Sequence, residues 1–531
     1  MNSLRRCLIL SHRYLGIPLS IMFVVWFVSG LVMMYTGGMP ALSRSDRLLH
    51  AEPLDIASVR VSARAAIAAA GFDTAPSTLR VESVLGRPAY RIGAFGGEAT
   101  VFADSGEVLD EVSPAAAAVV AATFLDVSSA TLEYVRTLVE PDQWTLTQRD
   151  DLPLHEFAVA DGKGTRIYVS AYGGEVALMT TRTSRMLAWI GVIPHWLYFT
   201  PLRLDQPLWY WSVVTLSALG CVLAAFGLTL AVTQFRRSRP FSLARSVRYT
   251  GWMRWHYFSG ALFGVFTLTW VFSGLMSMEP FEWTRVTGAT LPRDAISGGE
   301  LEIGRYPAVA EAHWPTGVPT GSIKTIEYVR VLDAPVFVVT SAEAFARSGP
   351  RERLHQPYPV ALDSLGRRQL VYAETMNLVD EPMPIETLVR RVDAALVGAA
   401  VRDFRLLDDY DAYYYSRERS APLPVLRLEL DDPLETWHYI DPVDGRIVAR
   451  THRYSRIERW LFNGLHSLDF AFWYDQRPLW DIGMILLSLG ALTTSLIGMC
   501  LGFRRLTVRR SGRPADRPVR RRPRAAARGF D

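Results

Sequence analysis

The chain has 531 residues, 49% of them hydrophobic, a mean hydropathy of +0.11 and a formal net charge of +4. It is too apolar for an ordinary soluble protein and too polar for a bare helical bundle, so a few membrane spans joined to sizeable water-facing domains are expected. Only Cys7, Cys221 and Cys500 occur, all in or beside apolar segments, which excludes a disulfide framework, a CxxC zinc site and a CxxCH attachment motif.

Four stretches are long enough to cross a bilayer, at about 14–37, 207–232, 256–278 and 482–503, and none holds Asp, Glu, Lys or Arg. Arg5 and Arg6 precede the first, as in a signal peptide, but its apolar core is too long and no small-x-small site follows, so a retained anchor is expected. Residues 1–13 carry Arg5, Arg6 and Arg13 with no acid, and 235–255 carry six arginines with no acid. The stretch after Phe503 holds eleven arginines and two aspartates. The positive-inside rule puts all three in the cytoplasm. The Pro- and Ala-rich tail reads as a membrane-hugging segment and not as a nucleic-acid site. The expected order is then a cytoplasmic N-terminus with span one (1–38), a periplasmic region (39–185) and an interfacial segment with span two (186–235). A basic loop (236–255), span three (256–278), a second periplasmic region (279–458), an interfacial segment with span four (459–503) and the arginine-rich tail (504–531) complete it. Such a chain belongs in a bacterial inner membrane, with the lipid bilayer as its first partner.

The two water-facing regions read as α+β. Residues 56–70 are alanine-rich and helix-like, and strand-like runs follow at 79–85, 89–92 and 100–102. A strand, tight turn and short strand recur at 101–109, 167–178, 360–371 and 437–449, with a glycine where the turn needs positive φ.

The chain also repeats itself. His12-Arg13-Tyr14-Leu15-Gly16 with Trp26, Ser29-Gly30-Leu31 and Met34 returns 244 residues later as His256-Tyr257-Phe258-Ser259-Gly260 with Trp270, Ser273-Gly274-Leu275 and Met278. Ser184-Arg185, Trp189, His195 and Asp205-Gln206-Pro207-Leu208-Trp209 return about 271 residues later as Ser455-Arg456, Trp460, His466 and Asp475-Gln476-Arg477-Pro478-Leu479-Trp480. Both halves start inside, so the repeats are parallel and related by a pseudo-two-fold axis along the membrane normal. That symmetry pairs His12 with His256 at the cytoplasmic face and His195 with His466 at the external face. Two imidazoles facing across a bundle are a common way to hold haem iron; the plainer alternative is four histidines lying among headgroups. Trp26 and Trp270 sit midway along their spans, for packing or between two cofactors. Gly16, Gly30, Gly260, Gly264 and Gly274 allow close approach of helices or of a flat cofactor. Arg185 and Arg456 would pair with propionates or snorkel to headgroups. His50, His155, His313, His355, His438 and His452 lack repeat partners and read as ordinary domain histidines. The oxygen- and aromatic-rich stretch Asp408–Tyr415 would meet a ferric chelate or a partner protein, or is simply a strand with a polar turn.

The hairpin pattern resembles the PepSY module, best at Tyr439-Ile440-Asp441-Pro442-Val443-Asp444-Gly445-Arg446-Ile447. With the span-opening His-Arg-Tyr-Leu-Gly and the histidine before each returning span, the chain resembles the PepSY-associated transmembrane family over most of residues 8–505. The resemblance implies a four-span helical bundle of two parallel repeats with periplasmic α+β PepSY-like domains. Some members of that family are inner-membrane ferrisiderophore reductases with two b-type haems that pass electrons outward to a periplasmic ferric chelate, and others have no assigned activity. Applied here, it implies haem b, two per chain, with His12, His256, His195 and His466 as axial ligands and Arg185 and Arg456 beside them. The chain departs from simpler members in its large external regions, with two PepSY-like units each. A polar interval also follows Pro194-His195-Trp196-Leu197-Tyr198-Phe199.

No GxGxxG, Walker A, HExxH, GxSxG or DxDxDG motif occurs. Electrons would therefore come from a cytoplasmic reductase, a reduced flavin or membrane quinol. The leading expectation is a transmembrane ferric reductase for iron uptake. The alternatives are a non-catalytic PepSY scaffold or regulator and, less favoured because no span holds a midplane charge, a metal or siderophore permease.

Overall fold

The computed structural model describes the chain except residues 1–2, 43, 96, 237–241, 243–245, 342–366, 380–382, 416–420 and 512–531. His355, the start of the 360–371 pattern and the arginine tail from residue 512 lie outside the described residues. Among the described residues four helices are long and apolar enough to cross a membrane: Ser3–Thr36, Gln206–Gln234, Gly251–Met276 and Leu479–Thr507. The chain is a multi-pass membrane protein. The first helix begins well before the expected residue 14, because residues 3–13 contain no Gly or Pro to stop it. His12 therefore lies inside the first helix, which starts at Ser3. Its 34 residues run about 51 Å, beyond the about 20 residues a bilayer needs.

Contacts divide the chain into two units. One comprises Met1–Phe27, Leu219–Leu268 and Leu486–Asp531, and the other Val28–Ala218 and Thr269–Ile485. The first is helical in its described residues and close-packed at small side chains. A Cβ added at Gly264 would stand 2.9 Å from Leu228 Cδ2, and one at Gly260 3.6 Å from Thr494 Cγ2.

The second unit carries fourteen strands among its described residues. β1 (Thr78–Val84), β2 (Arg87–Ala94) and β3 (Gly97–Phe102) form an antiparallel meander, as do β8 (Ile323–Val331), β9 (Ala334–Ser341) and β10 (Arg367–Tyr372). The two meanders join edge to edge through β1 and β8, with Arg80 opposite Glu327 and Val81 opposite Ile326. β4 (Leu132–Leu138), β5 (Leu154–Val159), β6 (Arg166–Ser170) and β7 (Val176–Thr180) form a four-stranded sheet. So do β11 (Val401–Leu407), β12 (Val425–Leu430), β13 (Trp437–Ile440) and β14 (Ile447–Thr451). The six-stranded sheet buries Val81, Tyr90, Ile92, Ile326, Tyr328, Phe337 and Val371 in one shared core. At about 1.5–3 kcal/mol per large side chain, that core joins the two chain halves firmly. Its other face packs Val336, Val338 and Leu370 on helix Ile385–Ala395 and on Leu426 and Leu428 of β12.

The helix expected over 56–70 is shorter. Ile56–Ser58 form a single 3-10 turn, Arg60 and Val61 donate their N–H groups to the Ala103 carbonyl, and Ser62 caps an α-helix over Ala63–Ala70. The β-branched Val59 and Val61 favour the extended backbone, and the serine supplies the start.

Three of the four expected strand–turn–strand patterns close on the same bonds, and the turn of the fourth, in 360–371, lies outside the described residues. A further turn of the same kind follows β10 over Val371–Val379. There Tyr372 N–H donates to Asn377 O and Met376 N–H to Tyr372 O, as Phe102 does to Glu107 and Gly106 to Phe102. Gly106, Gly174 and Gly445 take positive φ, and in the turn after β10 Met376 does so at 54°. A methionine in the left-handed region carries no sequence signal.

Candidate functional site

Span one brings His12 against its repeat partner. The imidazoles of His12 and His256 lie with centroids 6.3 Å apart and planes at 40°. His12 Nδ1 is 3.1 Å from the Leu223 carbonyl, and His256 Nδ1 is 3.2 Å from the Thr494 carbonyl. A carbonyl only accepts, so each Nδ1 carries the proton and each Nε2 keeps its lone pair. Both rings sit on a glycine. A Cβ at Gly227 would stand 2.8 Å from His12 Cε1, and one at Gly498 3.2 Å from His256 Cε1.

His195 and His466 form a second pair, with centroids 6.2 Å apart and planes at 77°. His195 stands on helix Val192–Trp196, and His466 follows a π-helical turn at Trp460–Gly464. Nδ1 of each meets a serine of the span one half-repeat back: Ser29 Oγ at 3.0 Å and Ser273 Oγ at 2.9 Å. Ser273 donates its own proton to the Trp270 carbonyl (2.9 Å), so His466 donates through Nδ1 and again leaves Nε2 as the electron-pair donor. Gly30 gives His195 its space, since a Cβ there would lie 3.3 Å from Cε1. Leu197 and Leu468, two residues past each histidine, both turn into the left-handed region at φ 54° and 49°. The indoles of Trp209 and Trp480 donate to the carbonyl just after each histidine, Trp196 O at 2.8 Å and Ser467 O at 3.0 Å.

Two imidazole nitrogens each about 2.0 Å from one metal ion, with about 1.2 Å from nitrogen to ring centre, put ring centroids about 6.4 Å apart. Both pairs fit that spacing, and their Nδ1 partners are the outer hydrogen bonds that orient metal-binding imidazoles. Among the described residues no three His, Cys, Asp or Glu side chains are grouped to hold a bare metal ion. A metal between either pair would draw its remaining donors from a macrocycle, as haem iron does.

The other expected site residues lie elsewhere. Arg185 donates to Thr180 Oγ1 and to the Gly164 carbonyl, both at 2.8 Å. Arg456 lies 4.0 Å over the Trp437 ring, with Glu435 at 3.5 Å, and is 8% exposed. Burial pulls its pKa below the ordinary value, against Glu435. Both arginines thus hold the base of the histidine-bearing segment to its sheet. Trp26 packs by Phe23 (6.2 Å between rings) and Trp270 is buried. Gly274 has nothing within 4 Å of an added Cβ. His155, His438 and His452 serve their domains. The first two bond the Val112 and Ala289 carbonyls, and His452 caps helix Arg453–Arg459, where Thr181 caps Arg182–Ile190. His50 bonds the Asp46 carbonyl and His313 lies on the surface. Gly227, Gly498, Trp209, Trp480 and the roles of Ser29 and Ser273 escape a reading that tracks histidines. The 244- and 271-residue offsets relate each of these pairs and were the available signal.

No curated protein matches the chain. The model of the PepSY-associated TM region matches residues 10–324, more than half of the chain, and the protein belongs to that family.

Proposed function

We propose that this chain is a duplicated, haem-carrying electron conduit of the bacterial inner membrane that reduces a periplasmic ferric chelate for iron uptake. The two long regions would face the periplasm and both termini the cytoplasm, as the arginine distribution requires. His12 and His256 would hold an inner b-type haem, and His195 and His466 an outer one. Iron in that setting exchanges one electron at a time, which is the chemistry the reading needs. The chain's own part is orientation. Leu223 O, Thr494 O, Ser29 Oγ and Ser273 Oγ fix the imidazole rotamers, and Gly227, Gly498 and Gly30 leave the rings room. The observation that carries the reading is the recurrence, in two pairs, of centroid separations of 6.3 and 6.2 Å with Nδ1 anchored. Fe(II) binds hard oxygen donors less tightly than Fe(III), so reduction would loosen the chelate.

The test is reduction of an external ferric hydroxamate by proteoliposomes loaded with dithionite. Wild type should produce Fe(II) outside, and His256→Ala or His466→Ala should lower the rate at least tenfold. Rates equal to protein-free liposomes would overturn the proposal.

A further inference from the structure

The aromatic loop Asp411–Tyr415 grips the segment that carries His466, and Arg459 is the centre of the grip. Arg459 Nε donates to the Ala412 carbonyl (2.9 Å) and Nη1 to the Asp469 carbonyl (2.8 Å), while Nη2 lies 3.3 Å from Asp469 Oδ2. Both partners of the ion pair are buried, at 8% and 4% exposure. The guanidinium lies 4.2 Å over the Trp460 ring and 5.3 Å over that of Tyr415. Two more bonds cross from the same segment to the loop, Trp460 Nε1 to Tyr413 OH (3.2 Å) and Asn463 Nδ2 to Tyr415 OH (2.9 Å). The loop is itself tied to its sheet: Asp411 accepts from the N–H groups of Tyr413 and Tyr414 and from Arg427, and Tyr414 stacks on Tyr439 of β13.

These contacts bracket the π-helical turn Trp460–Gly464, two residues before His466. A π-turn is a rare, functionally enriched departure from the α-helix that persists only where its surroundings hold it. In the other half the corresponding grip is uncharged, with Trp144 edge-on to Trp189 in place of Tyr415 and Trp460. Positions 271 residues earlier hold Ala188, Trp189, Val192 and Tyr198, and the His195 segment is fastened through neutral Gln143, which donates to the Tyr198 carbonyl (2.7 Å) and accepts from Thr200. The repeat thus supplies two histidines, and only one is clamped by a buried ion pair and a tyrosine loop.

We infer that Arg459, Tyr413 and Tyr415 are positioning residues for His466, through which the β11–β14 sheet sets the orientation of one outer axial ligand. The inference rests on the reading of His466 as a haem ligand. Ligand orientation and its outer hydrogen bonds tune a haem potential, so the grip would make the two histidines of the outer pair inequivalent and set the potential of that one haem.

The test is an optical redox titration, with low-temperature electron paramagnetic resonance, of the purified full-length protein and its Tyr415→Phe, Tyr413→Phe/Tyr415→Phe, Arg459→Gln and Arg459→Lys variants. Tyr415→Phe removes one hydroxyl and keeps the ring beside Arg459. One of two haem components should shift its midpoint and g-values in the tyrosine variants while the other stays fixed, and Arg459→Lys should keep part of what Arg459→Gln loses. Identical midpoints and spectra in haem-loaded tyrosine variants would refute the positioning role and leave the haem reading standing. Wild type with no haem would remove both.

Discussion

A methyl group added at four glycines should sort itself by the space above each. Carbon atoms pack comfortably at about 3.5 Å. A Cβ at Gly227 stands 2.8 Å from His12 Cε1, so in Gly227→Ala the ring or helix must yield by about 0.7 Å. The shortfall is about 0.3 Å for Gly498→Ala against His256 and about 0.2 Å for Gly30→Ala against His195. Gly274→Ala has nothing within 4 Å and should be silent. Overpacking costs about 1–3 kcal/mol, and 1.4 kcal/mol is tenfold in an equilibrium. Gly227→Ala should therefore weaken haem at the His12/His256 pair by about 10- to 100-fold. Gly498→Ala should act at the same pair more mildly, and Gly30→Ala at the His195/His466 pair. Alanine is the better helix former by up to about 1 kcal/mol, so any loss comes from the ring contact and not from the helix. The assay is haem per chain after purification with haem titrated back. Equal haem loss in Gly274→Ala and Gly227→Ala would refute the steric argument.

Three further outcomes are expected. Ser273→Ala removes the acceptor that orients His466 and should weaken haem at that pair by about 10- to 100-fold, whereas Ser277→Ala, one turn further along, should not; equal affinities in a haem titration would contradict the second-pair geometry. The β11–β14 sheet should lose stability in acid in two windows. Burial holds His438 below its ordinary 6.5, opposed by the bond to Ala289, and a histidine with a lowered folded pKa gives full stability above 6.5 and loses it as pH falls below. Burial alone would raise Asp432, but bonds from Thr436, Ala289 and Leu434 outweigh it and lower its pKa from 3.8, so its contribution goes only below that value. Hydrogen exchange over residues 437–451 should show protection falling from about pH 6.5, less steeply in His438→Gln, and an unchanged slope would discard the assignment. Cys7 is exposed at the start of span one. With Cys221 and Cys500 replaced by serine, an impermeant maleimide should label it in inside-out vesicles only, and labelling of intact spheroplasts would invert the topology.

The spans were legible because runs of apolar residues have few other uses, although their helices extend past the apolar cores where no Gly or Pro stops them. His12 lies against His256 and His195 against His466, the two pairs that the recurring sequence segments suggest. What the sequence hid is relational. Gly227 and Gly498 look like any span glycine until a ring is found above them. Leu197, Leu468 and Met376 adopt backbone that glycine usually takes, so their turns carry no compositional mark. The neighbours of Arg185 and Arg456, Thr180 and Gly164 for the first and Trp437 and Glu435 for the second, are likewise not visible in a sequence. Joining of the two meanders through β1 and β8 sets Val81 opposite Ile326, a pairing between distant halves of the chain that no local periodicity reports.

The central claim is tested most directly by the absorption spectrum of the detergent-purified protein before and after dithionite, with haem quantified per chain. The account requires a sharp low-spin b-type α-band on reduction and two haems per chain, with one lost in His256→Ala and the other in His466→Ala. A colourless protein from haem-supplemented cells would contradict it.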